Sequence, residues 1–502
     1  MNLRPKNELT EQEVQKGLSL VIGDGLATEA MTALTGGAFL VAMALLMGAS
    51  NFQIGLLAAL PTLTNIFQLL SIWLVRRYNN RRAVSVYCAF LARIPLVIIG
   101  SIPILFPGEG SVKLVIIFLF CFYFFGSIAS PSWNAWMRDL VPEKILGVYF
   151  SRRARYAQIL SVVMTIVLAF LLDYIRVQYP LLQLETYAWM FIAGGVIGLT
   201  GAAILSGTPE RQSFLSKENI FRLFKRPLKD GNFRRLLIFN SAWVFAINIS
   251  TPFFTVFMMK SLGLSLSYII GLTITSQLCG ILTIRIWGSF ADRYSNKTII
   301  AIAAPLYILC ILAWCLVGIY TSFYSNLALL IAIHIVTGFT TSGINLSLTN
   351  IGLKLAPNDL AIVYLSAKNI ITAFFSSIAP LIGGILADYF TSRHLKITAE
   401  WSAPALTKVF RLLSLHEWNF LFLIGAFIAL IAVNLLARVK EVGEVEKDVV
   451  VRIMRSSIKN NLKESFVIGN LLTWHGQIWG IIKRKTFPEG KSEKPPDTTI
   501  KN

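Results

Sequence analysis

The sequence predicts an all-α integral membrane protein with twelve transmembrane helices. Hydrophobic residues make up 55% of the 502 residues and charged residues only 14%, whereas about 25% of an average soluble domain is charged. Apolar stretches also recur at about 20 residues, the length that a helix needs to cross a hydrocarbon core about 30 Å thick. Helices are expected because they satisfy their own backbone hydrogen bonds in lipid.

Twelve apolar blocks follow one another along the chain, and this even number places both termini on the same side of the membrane. The first block is not a cleavable signal peptide, because it is long and contains two acidic residues. The blocks lie at roughly 18–48, 52–75, 84–106, 112–137, 157–174, 187–205, 235–258, 267–288, 298–320, 324–350, 367–390 and 418–437.

The distribution of lysine and arginine predicts the orientation. With the N-terminus in the cytoplasm, the inner connections carry about three times as many of these residues as the outer ones, as the positive-inside rule requires. The formal net charge of +20 then belongs mostly to an inner face that meets anionic inner-leaflet lipids, and no nucleic-acid partner is expected. We predict a multi-pass protein of the cell (inner or plasma) membrane with both termini cytoplasmic.

The five cysteines indicate neither a metal centre nor a disulfide framework. All five fall inside predicted spans, without a C-x-x-C spacing, so they are expected to pack as small apolar residues. The segment GKS at 490–492 resembles the end of a phosphate-binding loop but has Lys485 where that loop requires glycine. We therefore predict no metal, no cofactor and no enzymatic activity.

An internal repeat relates the two halves of the chain. LVPEKILGVYFS at 140–151 matches LAPNDLAIVYLS at 355–366, and RRYNNR at 76–81 matches DRYSNK at 292–297. The two pairs of segments are separated along the chain by nearly the same interval. Two distant matches at nearly one interval indicate that six spans were duplicated in parallel orientation.

The segment GSFADRYSNK at 288–297 resembles the inner-loop signature G-x-x-x-D-R-x-G-R-R/K of the major facilitator superfamily. Ser295 replaces the second glycine of that signature. In the first half, Ile72 replaces the first glycine and Arg76 replaces the acid. The matching residues are Gly288, Asp292, Arg293 and Lys297.

This resemblance implies two six-helix bundles with a pseudo-two-fold repeat, alternating access by rocking of the bundles, and a central cavity lined by spans 1, 4, 7 and 10. It does not identify a subfamily. We also predict a surface helix in the connection 391–417. The predicted organisation is a cytoplasmic arm at 1–17, bundles at 18–205 and 235–438, a cytoplasmic linker at 206–234 and a cytoplasmic basic, amphipathic tail at 439–502.

Charged residues at the ends of the spans predict an inner gate. Asp292 ends span 8 and Lys354 ends span 10, while Arg76 and Asp139 occupy the equivalent positions of the first half with the charges reversed. We predict that each pair forms in one access state and breaks in the other. The alternative is that these are ordinary inner-face charges at lipid headgroups. Arg77 and Arg293 adjoin these pairs and are included in the predicted gate.

The first span carries its polar residues on one face. With 100° per residue, Asp24, Thr28, Thr32 and Glu29 fall within an arc of about 140°, which predicts a cavity-lining helix. Interhelical hydrogen bonding is the alternative. Glu29 lies about two turns into the predicted span and is predicted to carry a coupling proton, because intramembrane acids usually serve transport. Asp24 lies nearer the start of the span and is predicted to be at the cytoplasmic entrance, where it caps or hydrates the helix start.

Other polar residues of the spans are candidates for the same cavity. His334 has a proton or substrate role or is a hydrogen-bonded structural histidine. Arg93 is a partner for Glu29 or a site for a substrate anion. The remaining candidates are Asn134 in span 4, Asn248 and Thr251 in span 7, Thr341 and Asn345 in span 10, and Asn369 in span 11.

Together these features predict a monomeric secondary active transporter of a small solute that works by alternating access and is coupled to protons. Few fixed charges in the predicted cavity favour a neutral or amphipathic solute. Two alternatives remain open, a multidrug or metabolite efflux antiporter and a membrane sensor derived from a transporter.

Overall fold

The computed structural model describes residues 3–106, 110–142, 145–212, 225–318, 322–357, 360–403, 406–415 and 417–441. These residues belong to one compact unit, Met1–Val442. Within them, twelve helices are long and apolar enough to cross a membrane, which confirms the predicted class and number of spans. Residues 213–224 of the predicted linker and nearly all of the predicted tail lie outside the described residues.

The helices alternate between two ends of the molecule. The end where span 1 begins is named the proximal end, and the end where span 1 finishes is named the distal end. Span 1 consists of helices Glu11–Thr35 and Gly37–Leu46, and span 2 of Asn51–Leu63, the 3₁₀ turn Thr64–Phe67 and Gln68–Tyr78. Spans 3 to 12 are Arg81–Leu105, Ser111–Leu140, Leu146–Gln178, Gln183–Ser206, Gly231–Lys260, Leu266–Arg293, Asn296–Ala313, Phe323–Leu355, Ala361–Phe390 and Glu417–Leu436.

Spans 1 and 2 are both interrupted. Gly36 is extended, with φ −118° and ψ −172°, and Gly37 follows with φ +57°, a left-handed conformation that favours glycine. In span 2, Pro61 lacks the N–H that an α-helix interior needs, and the chain tightens into a 3₁₀ turn three residues later. These interruptions give both helices irregular backbone in their middle portions.

Spans 2 and 11 bring the two halves into close contact near the distal end. A Cβ added at Gly55 would lie 2.2 Å from the Pro380 carbonyl oxygen, and one added at Gly384 would lie 2.7 Å from the Asn51 carbonyl oxygen. Both positions therefore need glycine, because the two backbones touch where any larger residue would separate them.

The connection between spans 11 and 12 forms an antiparallel hairpin of β1 (Leu395–Ala403) and β2 (Leu406–Leu415). The predicted surface helix in this connection is therefore wrong. β-Branched and aromatic residues such as Ile397, Thr398 and Trp401 favour strands, and each strand satisfies the backbone groups of the other. A short helix, Lys225–Lys229, precedes span 7.

Candidate functional site

A cavity of about 900 Å³ lies between the two halves. Its wall comes from spans 1, 2, 4 and 5 of the first half and spans 7 and 8 of the second. This volume falls within the range of about 300–1,000 Å³ that is typical of small-molecule sites. Its polar lining includes Glu29, Thr32, Arg153, Gln158, Thr251 and Gln277. The described wall thus presents one carboxylate and one guanidinium to a space that fits a small solute.

The polar face of span 1 divides between two environments. Glu29, Thr32 and Gly36 lie on the cavity wall. Asp24 and Thr35, at the other edge of the predicted polar arc, are only 4% and 5% exposed and lie inside the first half. An arc of about 140° is too wide to border the cavity alone, so part of it packs against neighbouring helices. The break at Gly36 and Gly37 also lies on the wall, where irregular backbone is tolerated because it borders a cavity and not lipid.

Asp24 forms a buried ion pair with Arg93 of span 3. The Arg93 Nη2 lies 3.0 Å from Asp24 Oδ1 and donates to Thr28 Oγ1 at 2.8 Å. The Arg93 Nη1 donates to the Gly198 carbonyl oxygen at 2.6 Å. The predicted place of Asp24 at an entrance is therefore wrong, and so is the pairing of Arg93 with Glu29. The two buried charges neutralise each other. Either charge left without the other would be strongly destabilising, because it would be buried and unpaired.

A second cavity of about 580 Å³ lies between spans 2, 4, 7 and 11. Asn369, Thr372 and Ser376 present one face of span 11 to it, and Asn65 and Gln68 face it from span 2. Gln68 Nε2 donates to Asn65 Oδ1 at 3.0 Å. Asn369 therefore lies on a cavity between the halves, but on a different one from Glu29.

The polar residues of span 10 are occupied locally. The Nδ1 of His334 lies 2.8 Å from the Leu330 carbonyl oxygen, and its ring packs edge-on against Trp314 with 5.6 Å between centroids. Thr341 Oγ1 donates to the Thr337 carbonyl oxygen at 2.7 Å, while Asn345 is exposed. The described walls of the two cavities contain none of these three residues.

Thr251 lies on the wall of the larger cavity, whereas the described wall of that cavity contains neither Asn248 nor Asn134. Asn248 Nδ2 donates to the Val244 carbonyl oxygen at 2.7 Å, so its amide is used within span 7. Asn134 is exposed on span 4, outside the described walls of both cavities.

The fifth span of each half carries a cation that the sequence prediction missed. Arg153 lies on the wall of the larger cavity, because span 5 begins at Leu146 and not near residue 157 as predicted. Lys368 in span 11 is only 8% exposed, and its Nζ donates to the Leu348 carbonyl oxygen at 2.9 Å. The signal was present in the repeat, since the alignment of 140–151 with 355–366 also places Arg153 opposite Lys368.

The comparisons with known proteins agree with this architecture. The family model for the Major Facilitator Superfamily matches residues 26–380 and, as a second match, residues 244–485. The chain belongs to the major facilitator superfamily. It is a multi-pass membrane transporter and not an enzyme.

Solved structures of other transporters share the fold of this superfamily member. A D-xylose–proton symporter is 16% identical, with 86% of this chain and 98% of that chain covered and a TM-score of 0.61. The nucleoside transporter NupG is 15% identical, with 86% and 99% covered and a TM-score of 0.60. The xylose transporter XylE from E. coli, in an inward-open conformation, is 17% identical, with 84% and 94% covered and a TM-score of 0.52. No curated protein matches the sequence.

Two aspartates join the halves of this superfamily member at the distal end. Asp388, near the end of span 11, accepts hydrogen bonds from the backbone N–H groups of Asn51 and Phe52 at 3.1 and 2.9 Å, where span 2 begins. Asp173, near the end of span 5, accepts from the N–H groups of Leu266 and Ser267 at 3.0 and 2.9 Å, where span 8 begins.

These two contacts, together named the distal latch, are copies of each other. Asp173 and Asp388 occupy equivalent positions of the repeat, and so do the two helix starts that they cap. A carboxylate at a helix N-terminus pairs with the free N–H groups and with the positive end of the helix dipole. Each half thus caps a helix of the other half.

At the proximal end, charged networks lie within each half. Asp139 pairs with Arg81 at 2.6 Å, and Arg81 also pairs with the buried Glu210 at 3.0 Å. The predicted partner of Asp139 was Arg76, which is exposed in this structure, as is Arg77. Arg81 reaches Asp139 because it begins span 3 beside the end of span 4, whereas Arg76 lies in the last turn of span 2.

The second half repeats this network with Lys354. Its Nζ lies 3.2 Å from Oε1 of Glu441, a buried residue after span 12. Burial by itself raises the pKa of Glu441. Hydrogen bonds from Asn296 and Lys297 and the contact with Lys354 lower the pKa by more than burial raises it, so the pKa lies below its ordinary value. The Arg293 guanidinium lies 5.9 Å from the Tyr294 ring centroid, and the side chain of Asp292 lies outside the described part.

Proposed function

We propose that this transporter is a secondary active carrier that moves a small solute by alternating access and is driven by protons, with Glu29 as the carboxylate that carries the coupling proton. The observation that supports this proposal is the position of Glu29 on the wall of the cavity between the halves. Acidic residues within membrane spans usually face a protein cavity and mark the paths of protons or substrates. A D-xylose–proton symporter shares the fold.

The distal latch supports alternating access. It ties the start of span 2 to span 11 and the start of span 8 to span 5, whereas the networks around Glu210 and Glu441 each stay within one half. In the proposed cycle, a structure joined in this way corresponds to the state in which the solute reaches the cavity from the proximal side. With the N-terminus in the cytoplasm, as the positive-inside rule predicts, this is the inward-facing state.

Proton-coupled flux tests the proposal. The full chain is reconstituted in liposomes that contain a pH-sensitive dye, and sugars, nucleosides, amino acids and organic acids are added in turn. A transported solute is expected to change the internal pH only when protein is present. Glu29→Gln is expected to abolish that pH change while solute exchange between the two sides continues, because exchange requires the loaded carrier to reorient but not to release a proton.

Glu185→Gln is the matched control. Glu185 lies in the first turn of span 6 and is exposed, so its replacement removes one acidic side chain without altering the cavity. It is expected to leave proton-coupled flux unchanged. Proton movement that persists at the wild-type rate in Glu29→Gln would rule out Glu29 as the coupling carboxylate, and solute flux indifferent to a pH gradient would rule out proton coupling.

A further inference from the structure

We propose that Arg153 binds an oxyanion group of the transported solute, so that the substrate is a small molecule that bears a carboxylate or a phosphate. This inference rests on the proposed transport function and names the chemical class of its substrate. The guanidinium of Arg153 is held in place at the cavity wall, and its N–H donors lack hydrogen-bond acceptors within the described part of the chain.

Arg153 is held at the cavity wall by two neighbours. A Cβ added at Gly25 of span 1 would lie 2.6 Å from Nε and 2.9 Å from Nη2 of Arg153, so the absence of a side chain at Gly25 makes room for the guanidinium. The same group lies over the Trp133 ring of span 4, with 5.0 Å between Cζ and the ring centroid. A stacked, packed guanidinium loses little further freedom when it binds a ligand.

The donors of Arg153 remain largely unused. A guanidinium has five N–H donors and stays charged in proteins. The buried Nε has no hydrogen-bond partner. Asp24 lies near enough to interact electrostatically with Arg153, but its carboxylate is paired with Arg93, and among the residues that the structure describes no acid forms an ion pair with Arg153. Arg93, in the same half, shows the contrast, because it bonds to a carboxylate, a hydroxyl and a carbonyl oxygen. A fixed cation with free donors beside a cavity is suited to an oxyanion, which accepts two parallel hydrogen bonds.

Glu29 and Arg153 lie on the wall of the same cavity. Gly25, which contacts Arg153, and Glu29 are four residues apart on span 1, a spacing that puts them about one helical turn apart on one face. Ionised Glu29 repels an oxyanion bound to Arg153, whereas protonated Glu29 does not. Solute and proton therefore favour each other's binding, as a symporter requires.

The corresponding residue of the second half does not offer a second such site. Lys368 is buried, and its ammonium group donates to the Leu348 carbonyl oxygen. A Cβ added at Gly352 would lie 3.1 Å from its Nζ, so the amine is packed against span 10. The expectation of a neutral or amphipathic solute rests on few fixed charges in the cavity, and it placed Arg153 in a connection between spans.

Binding to the purified full-length protein tests the inference. The probes are succinate, glutamate and glucose 6-phosphate as oxyanions, and D-xylose and uridine as uncharged solutes, with affinity measured from the shift in thermal unfolding. At least one oxyanion is expected to bind the wild type. Arg153→Gln is expected to weaken that binding at least tenfold, and Arg153→Lys less so, because lysine keeps the charge but not the planar fork. Arg152→Gln, at an exposed neighbouring position, serves as the matched control and is expected to bind as the wild type does.

Three outcomes would overturn the inference: binding of uncharged probes alone, binding of none of the oxyanions, or oxyanion binding within twofold of the wild type in Arg153→Gln. Folding is checked by the unfolding transition without probe, and Arg153→Lys supplies a charged variant if Arg153→Gln is unfolded. Coupled flux of an uncharged solute would retain the proposed function and remove this inference. Oxyanion binding that depends on Arg153 but is accompanied by no flux would retain this inference and remove the proposed function.

Discussion

Removal of the distal latch is expected to shift the transporter toward the state that is open at the distal end. In Asp173→Ala and Asp388→Ala, each substitution deletes a carboxylate that accepts two backbone N–H groups of the opposite half. Hydrogen bonds to a charged group contribute about 1.5–3 kcal/mol net. Asp173 is half-buried and Asp388 is exposed, so we take the lower figure of about 1.5 kcal/mol for each whole contact.

An energy of about 1.5 kcal/mol corresponds to about a tenfold change in the ratio of the two access states. The two contacts share no residue, so their effects are expected to add, and the double variant should change the ratio about a hundredfold. Spin labels at Leu181, which is 94% exposed, and at Ser261 report the distance between the distal ends of the two halves. The labels are placed on a protein whose five cysteines have been replaced.

Asp230→Ala provides the matched control for the latch. Asp230 also caps a helix, accepting from the N–H groups of Asn232 and Phe233 at 3.0 Å, but that helix is span 7 of its own half. Its loss is expected to lower stability and to leave the distal distance unchanged. The reasoning is refuted if the double variant keeps the wild-type distance distribution, or if Asp230→Ala lengthens the distal distance to the same extent.

The remaining predictions concern packing and buried charge. Asp24→Asn leaves Arg93 buried without its carboxylate and is expected to lower the free energy of unfolding by about 3–5 kcal/mol; thermal unfolding in detergent checks this, and an unchanged transition would contradict it. Gly55→Ala is expected to wedge spans 2 and 11 apart, because its Cβ would lie 2.2 Å from the Pro380 carbonyl oxygen, so the distal spin-label distance should lengthen without any change in charge. Because the pKa of Glu441 is lowered on folding from its ordinary value of 4.5, its stabilising contribution is present above that value and is lost as the pH falls through the folded pKa. The stability difference between wild type and Glu441→Gln should therefore stay constant from pH 6 to 8 and shrink below about pH 4.5, and a difference that grows on acidification would contradict this assignment.

The irregular parts of the helices show why some boundaries could not be predicted. Span 5 was expected to begin near residue 157, because Arg152, Arg153 and Arg155 interrupt the apolar pattern, yet the helix begins at Leu146. Arginine is a good helix former, and a helix can continue past the membrane core wherever its side chains find room. Hydropathy measures where lipid would surround a helix, and it does not measure where the helix ends.

The sequence by itself determined the class, the number of spans and the repeat. Apolar length and low charge are sufficient for the first two, because lipid admits only segments that bury their own polar backbone. The repeat also relates the two copies of the distal latch. From the sequence, however, Asp173 and Asp388 look like ordinary charges near the ends of spans. Their role depends on a helix start in the opposite half, which no local pattern can reveal.

Only the tertiary structure decided which polar residues share a site. The wheel of span 1 grouped Asp24 with Glu29, but the structure gives Asp24 to Arg93 and leaves Glu29 on the cavity. Asp139 likewise pairs with Arg81, which lies farther along the chain than the predicted Arg76. The physical reason is that a helical pattern fixes the direction of a side chain relative to its own helix, whereas its partner is fixed by the helix that packs against that face.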